Sequence, residues 1–138
     1  MKVLILCTGN SCRSQMAEGF LHSFDRRIIV CSAGTAPAPE INKKAVEVME
    51  ESGIDISANK PKSVDIYLQE EWDYVITVCD DAREACPFFS GKVKKRIHMA
   101  FEDPSKVAGS EEYIMGEFRR IRDRIRAQFY DFYSNLKI

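Results

Sequence analysis

The first residues with chemistry in them are Cys7 and Arg13, in the stretch Cys7-Thr8-Gly9-Asn10-Ser11-Cys12-Arg13-Ser14. Gly9 and Asn10 tolerate positive φ, so the backbone can curl until its N–H groups converge on one point. A helix opening near Ser14 adds its positive end. Arg13 supplies a planar fork suited to a tetrahedral oxyanion. Thr8, Gly9, Asn10, Ser11, Cys12 and Arg13 are therefore the expected oxyanion cradle. The same surroundings favour a thiolate at Cys7, below the ordinary thiol value of ~8.5. Ser14 is expected to cap the helix and to offer its hydroxyl to the Cys7 sulfur. The bare spacing can arise by chance, with Cys7 only the last residue of a buried strand. That alternative weakens once an apolar run precedes the loop, Gly-Asn lies inside it and a helix follows.

Two more cysteines stand in suggestive places. Cys79 ends the run Asp73-Tyr74-Val75-Ile76-Thr77-Val78, and Cys86 precedes Pro87. Their spacing is too wide for a zinc-type pair and no His-rich segment follows, so no metal is expected. Cys31, in Ile28-Ile29-Val30-Cys31, reads as a small buried hydrophobe. His22 and His98 read as surface or structural.

Elements able to position these residues follow from the apolar pattern. Strands are expected at Lys2 to Leu6, Ile28 to Ser32, Asp73 to Val78 and Lys95 to Met99. Helices are expected at Ser14 to Phe24, with Met16, Phe20 and Phe24 on one face, and at Ile41 to Ser52. The second shows Ile41, Ala45, Val48 and Ser52 on one side and Gly53 as its stop. Ala33 to Glu40 must be loop, Lys60 to Gln69 a loop with a short helix, and Asp80 to Ala85 a short helix. A long helix follows Ser110 as N-cap, with Glu111 and Glu112 in its first turn. Its apolar stripe is Ile114, Phe118, Ile121, Ile125, Phe129, Phe132 and Leu136. Alternating strands and helices imply an α/β fold: a four-stranded parallel sheet with helices on both faces, in one domain over 1–138. Ligands in such sheets bind beyond the carboxyl ends of the strands, where Cys7 and Cys79 fall.

The chain has 138 residues, 45% hydrophobic and 30% charged, which is a globular composition for one domain. A net charge of −1 gives no global reason to bind nucleic acid or an anionic membrane, so an anion must be caught locally. The apolar start Met1 to Leu6 is too short for a signal peptide or a membrane span. Five cysteines, an odd number, argue against a closed disulfide framework. A reduced, cytoplasmic monomer is expected.

Cys7-Thr8-Gly9-Asn10-Ser11-Cys12-Arg13-Ser14-Gln15-Met16-Ala17-Glu18-Gly19 resembles the loop of the low-molecular-weight tyrosine phosphatase superfamily, and more closely that of thioredoxin-coupled arsenate reductases. Ser32-Ala33-Gly34, Gly53-Ile54-Asp55-Ile56-Ser57 and Glu102-Asp103-Pro104 extend the resemblance over nearly the whole chain. It implies a phosphatase-like, flavodoxin-like topology. It also implies Cys79 and Cys86 as further redox cysteines, Asp103 as general acid, arsenate as substrate and thioredoxin as reductant. Two alternating disulfides, Cys7–Cys79 and Cys79–Cys86, would relay the electrons to detoxify arsenic, with no organic cofactor needed. A helix between Cys79 and Cys86 would hold them ~10.5 Å apart. A disulfide needs Cα atoms within ~7 Å, so that segment would have to unwind. Some members hold potassium through Asn, Glu, Ser and Asp. Asn10, Glu18 and Ser32 match, but Lys62 stands at the Asp position, where its ammonium would replace the cation. The alternatives are a phosphatase using Cys7, Arg13 and Asp103, and a phosphocysteine carrier.

Overall fold

The apolar runs and amphipathic segments become, in order, β1 (Lys2–Cys7), α1 (Arg13–Phe24), β2 (Ile29–Gly34), α2 (Lys43–Glu51), a 3-10 turn (Val64–Tyr67), β3 (Trp72–Thr77), α3 (Asp80–Glu84), β4 (Val93–His98), a second 3-10 turn (Pro104–Lys106) and α4 (Glu111–Ser134). This is a computed structural model, describing residues 1–137 and all their side chains except those of Arg83 and Glu84. Ile138, the last residue of the expected domain, lies outside the described residues.

All four strands are parallel, in the order β2-β1-β3-β4. β1 is central, and Val3, Leu4, Ile5 and Leu6 are fully buried. Successive strand side chains point to opposite faces, so β1 is covered on both, as an α/β fold requires. α1, α2 and α4 pack on one another, while α3 rests against β1 and β3. The expected α/β class and helix-flanked four-stranded sheet are present.

Packing explains the helices. α4 buries Phe118, Ile121, Ile125, Phe129 and Phe132, five of the seven stripe residues, while Ile114 and Leu136 are half-buried. Leu136 lies beyond the last helical residue, Ser134. The Ser110 hydroxyl accepts from the Tyr113 N–H at 3.1 Å, the expected cap. α2 starts later than its apolar pattern because Asn42 caps it, accepting from the Lys44 and Ala45 N–H groups. Gly53 stops it at φ 78°. Glu51 ties α2 to α4 through Arg119 and Arg122.

Two local expectations are corrected. The N-cap of α1 is Cys12, not Ser14, and no side chain caps it. The turn at Asn10, with φ 51°, completes the curl early enough for Arg13 to be helical already. Cys31 is half-buried, because β2 is an edge strand whose first half is only partly covered.

Parallel order brings the carboxyl ends of β1, β3 and β4 together, with Leu6 paired to Thr77 and Thr77 to His98. The segment after β2 then runs along the Cys7 loop. N–H groups of Thr35, Ala36, Ala38 and Asn42 donate to the carbonyls of Cys7, Thr8, Gly9 and Ser11 at 2.8–3.1 Å. The loop's carbonyls are thus consumed on one side, leaving its N–H groups for the other. Such close passage leaves no room at Gly34, where a β-carbon would collide with the Thr8 carbonyl oxygen. Gly34→Ala should therefore cost about 1–3 kcal/mol, as overpacking typically does, read as a lowered urea midpoint. An unchanged midpoint would show that the loop can move aside.

Candidate functional site

The Cys7 loop is held from within by Asn10, which is fully buried. Its amide nitrogen donates to the hydroxyls of Ser14 at 2.8 Å and Ser32 at 2.9 Å. Its oxygen accepts from the Lys62 backbone N–H at 2.9 Å and from Gln15 Nε2 at 3.3 Å. An N–H can only donate, so the Lys62 contact fixes which end of the amide is oxygen. Lys62 therefore reaches Asn10 through its backbone. Its Nζ lies 3.5 Å from the Lys60 carbonyl oxygen. Among the described residues no three His, Cys, Asp or Glu side chains form a metal-holding group.

Arg13 Nη1 donates to the Phe101 carbonyl at 3.0 Å, and Nη2 stands 3.5 Å from Asp103 Oδ2. Its Nε is buried and, among the described residues, is the one such side-chain nitrogen or oxygen without a hydrogen-bond partner. Asp103 heads the second 3-10 turn, its Oδ1 accepting from the Ser105 N–H at 3.0 Å and hydroxyl at 2.6 Å. A cavity of about 180 Å³ is lined by Cys7, Thr8, Gly9, Ser11, Cys12, Arg13 and Asp103. Asp81, Ser105 and Lys106 complete it. Those three were not expected. Ser105 and Lys106 directly follow Asp103-Pro104 and were within reach of sequence reasoning; Asp81 depends on where α3 docks.

Cys79 meets this cavity from the next strand. Its sulfur lies 3.4 Å from the Thr8 hydroxyl and accepts from the Ala82 N–H at 3.4 Å as N-cap of α3, close enough to the Cys7 thiol for the two to share their ionisation. All five cysteines are free thiols. The sulfur pair reverses one expectation. Cys7, beside the Cys79 thiol and buried, is pushed well above the thiol range even though Arg13 pulls it down. Cys79, beside the Cys7 thiol, the Thr8 hydroxyl and the Ala82 N–H, is brought down to about 5. The two thiols therefore titrate as a pair, the proximity of one holding back the second ionisation and Arg13 favouring the first. Cys12 is pushed up to about 12 by burial and then by the Asp103 charge, so it stays a neutral thiol in the loop wall.

Ser14 is buried with its hydroxyl accepting from Asn10, so it buttresses the loop. Cys86 is half-buried, one residue beyond the cap of α3, its sulfur 3.7 Å from Arg96 Nη1. The short helix expected between Cys79 and Cys86 is α3. His22 is exposed, while His98 bridges Thr77 and Asp80.

A strand, an anion loop ending in arginine and a carboxylate from a later turn define a class of oxyanion-handling α/β proteins. Residues 2–138 match the low molecular weight phosphotyrosine protein phosphatase family, and the chain belongs to it. Within that family it is similar to the arsenate reductase of Shouchella clausii strain KSM-K16, 44% identical over 131 residues covering 94% of this chain and 93% of that one. The arsenate reductase of Bacillus subtilis strain 168 is 41% identical over 131 residues, with the same coverage of both chains. A solved arsenate reductase in its phosphate-binding state superposes with a TM-score of 0.82 at 28% identity, covering 99% of this chain and 98% of that one. No helix among the described residues is long and apolar enough to cross a membrane.

The sulfur pair makes a pH prediction. The Cys79 pKa is depressed, so its charge contributes stability above the unfolded value of 9.0, and this is lost as pH falls through about 5. Thiolate absorbance near 240 nm should show one group ionising in that acidic range. Its largest cause is the neighbouring Cys7 thiol. Cys7→Ala should therefore move the transition upward, and a transition left in place would mean that Cys7 does not set it.

Proposed function

We propose that this chain reduces arsenate to arsenite by a three-cysteine relay, with a thioredoxin as the reductant. The observation that carries it is the free Cys79 thiol, its sulfur 3.4 Å from the Thr8 hydroxyl in the loop that holds Cys7 and Arg13. A phosphatase needs Cys7, Arg13 and Asp103, but it has no use for a second sulfur close to the first. The similarity to named arsenate reductases supports the same reading.

Arsenate enters the cradle of Thr8 to Arg13, where the unpartnered Arg13 Nε and the loop N–H groups receive its oxygens. Cys7 passes its proton to Cys79, and the Cys7 thiolate attacks arsenic. Asp103 protonates the oxygen that leaves as water. Cys79 gives up its proton and attacks the Cys7 sulfur. The electron pair of the S–As bond goes to arsenic, releasing arsenite and leaving the Cys7–Cys79 disulfide. Cys86 attacks Cys79, freeing Cys7 and forming Cys79–Cys86, which the dithiol of thioredoxin reduces.

Two outcomes test this. Cys86→Ser should stop multiple turnover with thioredoxin and trap Cys7–Cys79 after one arsenate, seen by mass mapping of peptides, yet spare aryl phosphate hydrolysis. Full turnover with no trapped disulfide would return the phosphatase reading to first place. Asp103→Asn should slow the chemical step by ~10²–10⁴, the usual contribution of a general acid, with a smaller effect on phosphate binding. A wild-type rate across the pH range would remove Asp103 from the chemistry.

A further inference from the structure

Thr77 on β3 and His98 on β4 are a register pair, as are Val75 and Arg96. Residues two apart on a strand share a face, so these four side chains belong to one side of the sheet. With Cys86 and Ile97 they line a cavity of about 550 Å³. Of the segment from Cys79 to Cys86 it is Cys86 that lines this cavity, and contacts to β4 hold the segment near both ends.

At its start, His98 Nε2 lies 2.8 Å from Asp80 Oδ1, and Nδ1 lies 2.7 Å from the Thr77 hydroxyl. A carboxylate only accepts, so Nε2 carries the proton toward Asp80. In the neutral ring, Thr77 then donates to Nδ1. Thr77 is buried and His98 largely covered, so the imidazole is set from behind. At the far end, Arg96 Nη1 points at the Cys86 sulfur across 3.7 Å, and the same guanidinium lies over the Phe89 ring at 5.4 Å. Asp80 is the first residue of α3, and Cys86 follows the cap of that helix.

We propose that His98 and Arg96 are positioning residues that set the oxidation equilibrium of the Cys79–Cys86 pair by holding α3 in its helical, dithiol form. This rests on the reading that the two sulfurs form a disulfide. Cys79 caps α3 at its start and Cys86 follows its C-cap, so the helix stands between the two residues, whereas a disulfide tolerates only ~7 Å between Cα atoms. Oxidation must therefore unwind α3, draw Cys86 away from Arg96 and shift Asp80 from His98. Contacts made only in the dithiol form favour that form by linkage, and removing them favours the disulfide. The cavity beside Cys86 gives that residue room to move.

The test equilibrates the full chain, without arsenate, in mixtures of reduced and oxidised dithiothreitol. Two electrons and two protons pass from the Cys79 and Cys86 thiols to the cyclic reagent disulfide. Peptide mapping after acid quench and alkylation reads the fraction bonded. Arg96→Met and His98→Ala should each raise the equilibrium constant for disulfide formation about 2–10-fold, the net worth of one such hydrogen bond. His98→Gln, whose amide can still donate to Asp80, should stay near wild type. Asp80→Asn combined with His98→Ala should add little to either change alone. A merely structural loss would lower the thermal midpoint of the dithiol form without following this pattern. An unchanged constant in Arg96→Met or in His98→Ala overturns that residue's role while leaving the relay intact. If the wild type forms no Cys79–Cys86 bond in any mixture, the relay reading fails together with this inference.

Discussion

Everything at this site hangs on one buried side-chain amide. Asn10 has two N–H donors and an oxygen with two lone pairs, and all four are used, on Ser14, Ser32, Gln15 and the Lys62 backbone. An unsatisfied buried polar group costs ~1–3 kcal/mol, so these bonds set the position of their partners as much as that of Asn10. They join β1's loop to the first turn of α1, the end of β2 and the segment before β3. The same residue adopts φ 51°, which turns the chain and aims Arg13. Asn adopts this conformation more readily than most residues because its short side chain hydrogen-bonds locally.

Around that hub the segments differ in how many contacts hold them. The anion loop is fixed by its Asn10 core and by the segment after β2 that occupies its carbonyls. The Arg13 guanidinium is held by Phe101 from the turn that also carries Asp103, so cation and carboxylate are placed together. α3 is one short turn of helix, too brief to be stable on its own. It borrows its order from Cys79 as cap and from β4.

Much of this was legible in the sequence, for physical reasons. Buried parallel strands are continuous apolar runs, so β1 and β3 could be read directly, and the Ser110 cap and stripe marked α4. Edge strands were harder: β4 presents Lys94, Lys95 and Arg96 to solvent, and its apolar signal begins late. Serine favours helix N-caps, yet Ser14 lies inside α1. A tertiary partner, Asn10, claimed its hydroxyl instead. The ionisation of Cys7 depends on Cys79, 72 positions away, and a loop considered in isolation carries no sign of that partner. Contacts across strands, such as Phe101 with Arg13 or Thr77 with His98, leave no local pattern to read.

The parallel sheet has a consequence for how the chain acquires its pocket. No strand pair is joined by a tight hairpin, so the loop's walls come from segments far apart along the chain and meet only when the sheet is assembled. The loop itself is contiguous, but the segments that hold its curl join it only in the folded chain. Any oxyanion that binds there binds the native state alone, and mass action then draws the folding equilibrium toward it. At a hundredfold excess over its dissociation constant, such an ion adds about 2.7 kcal/mol, comparable to several surface ion pairs. The ion would then act as a folding ligand before any chemistry occurs.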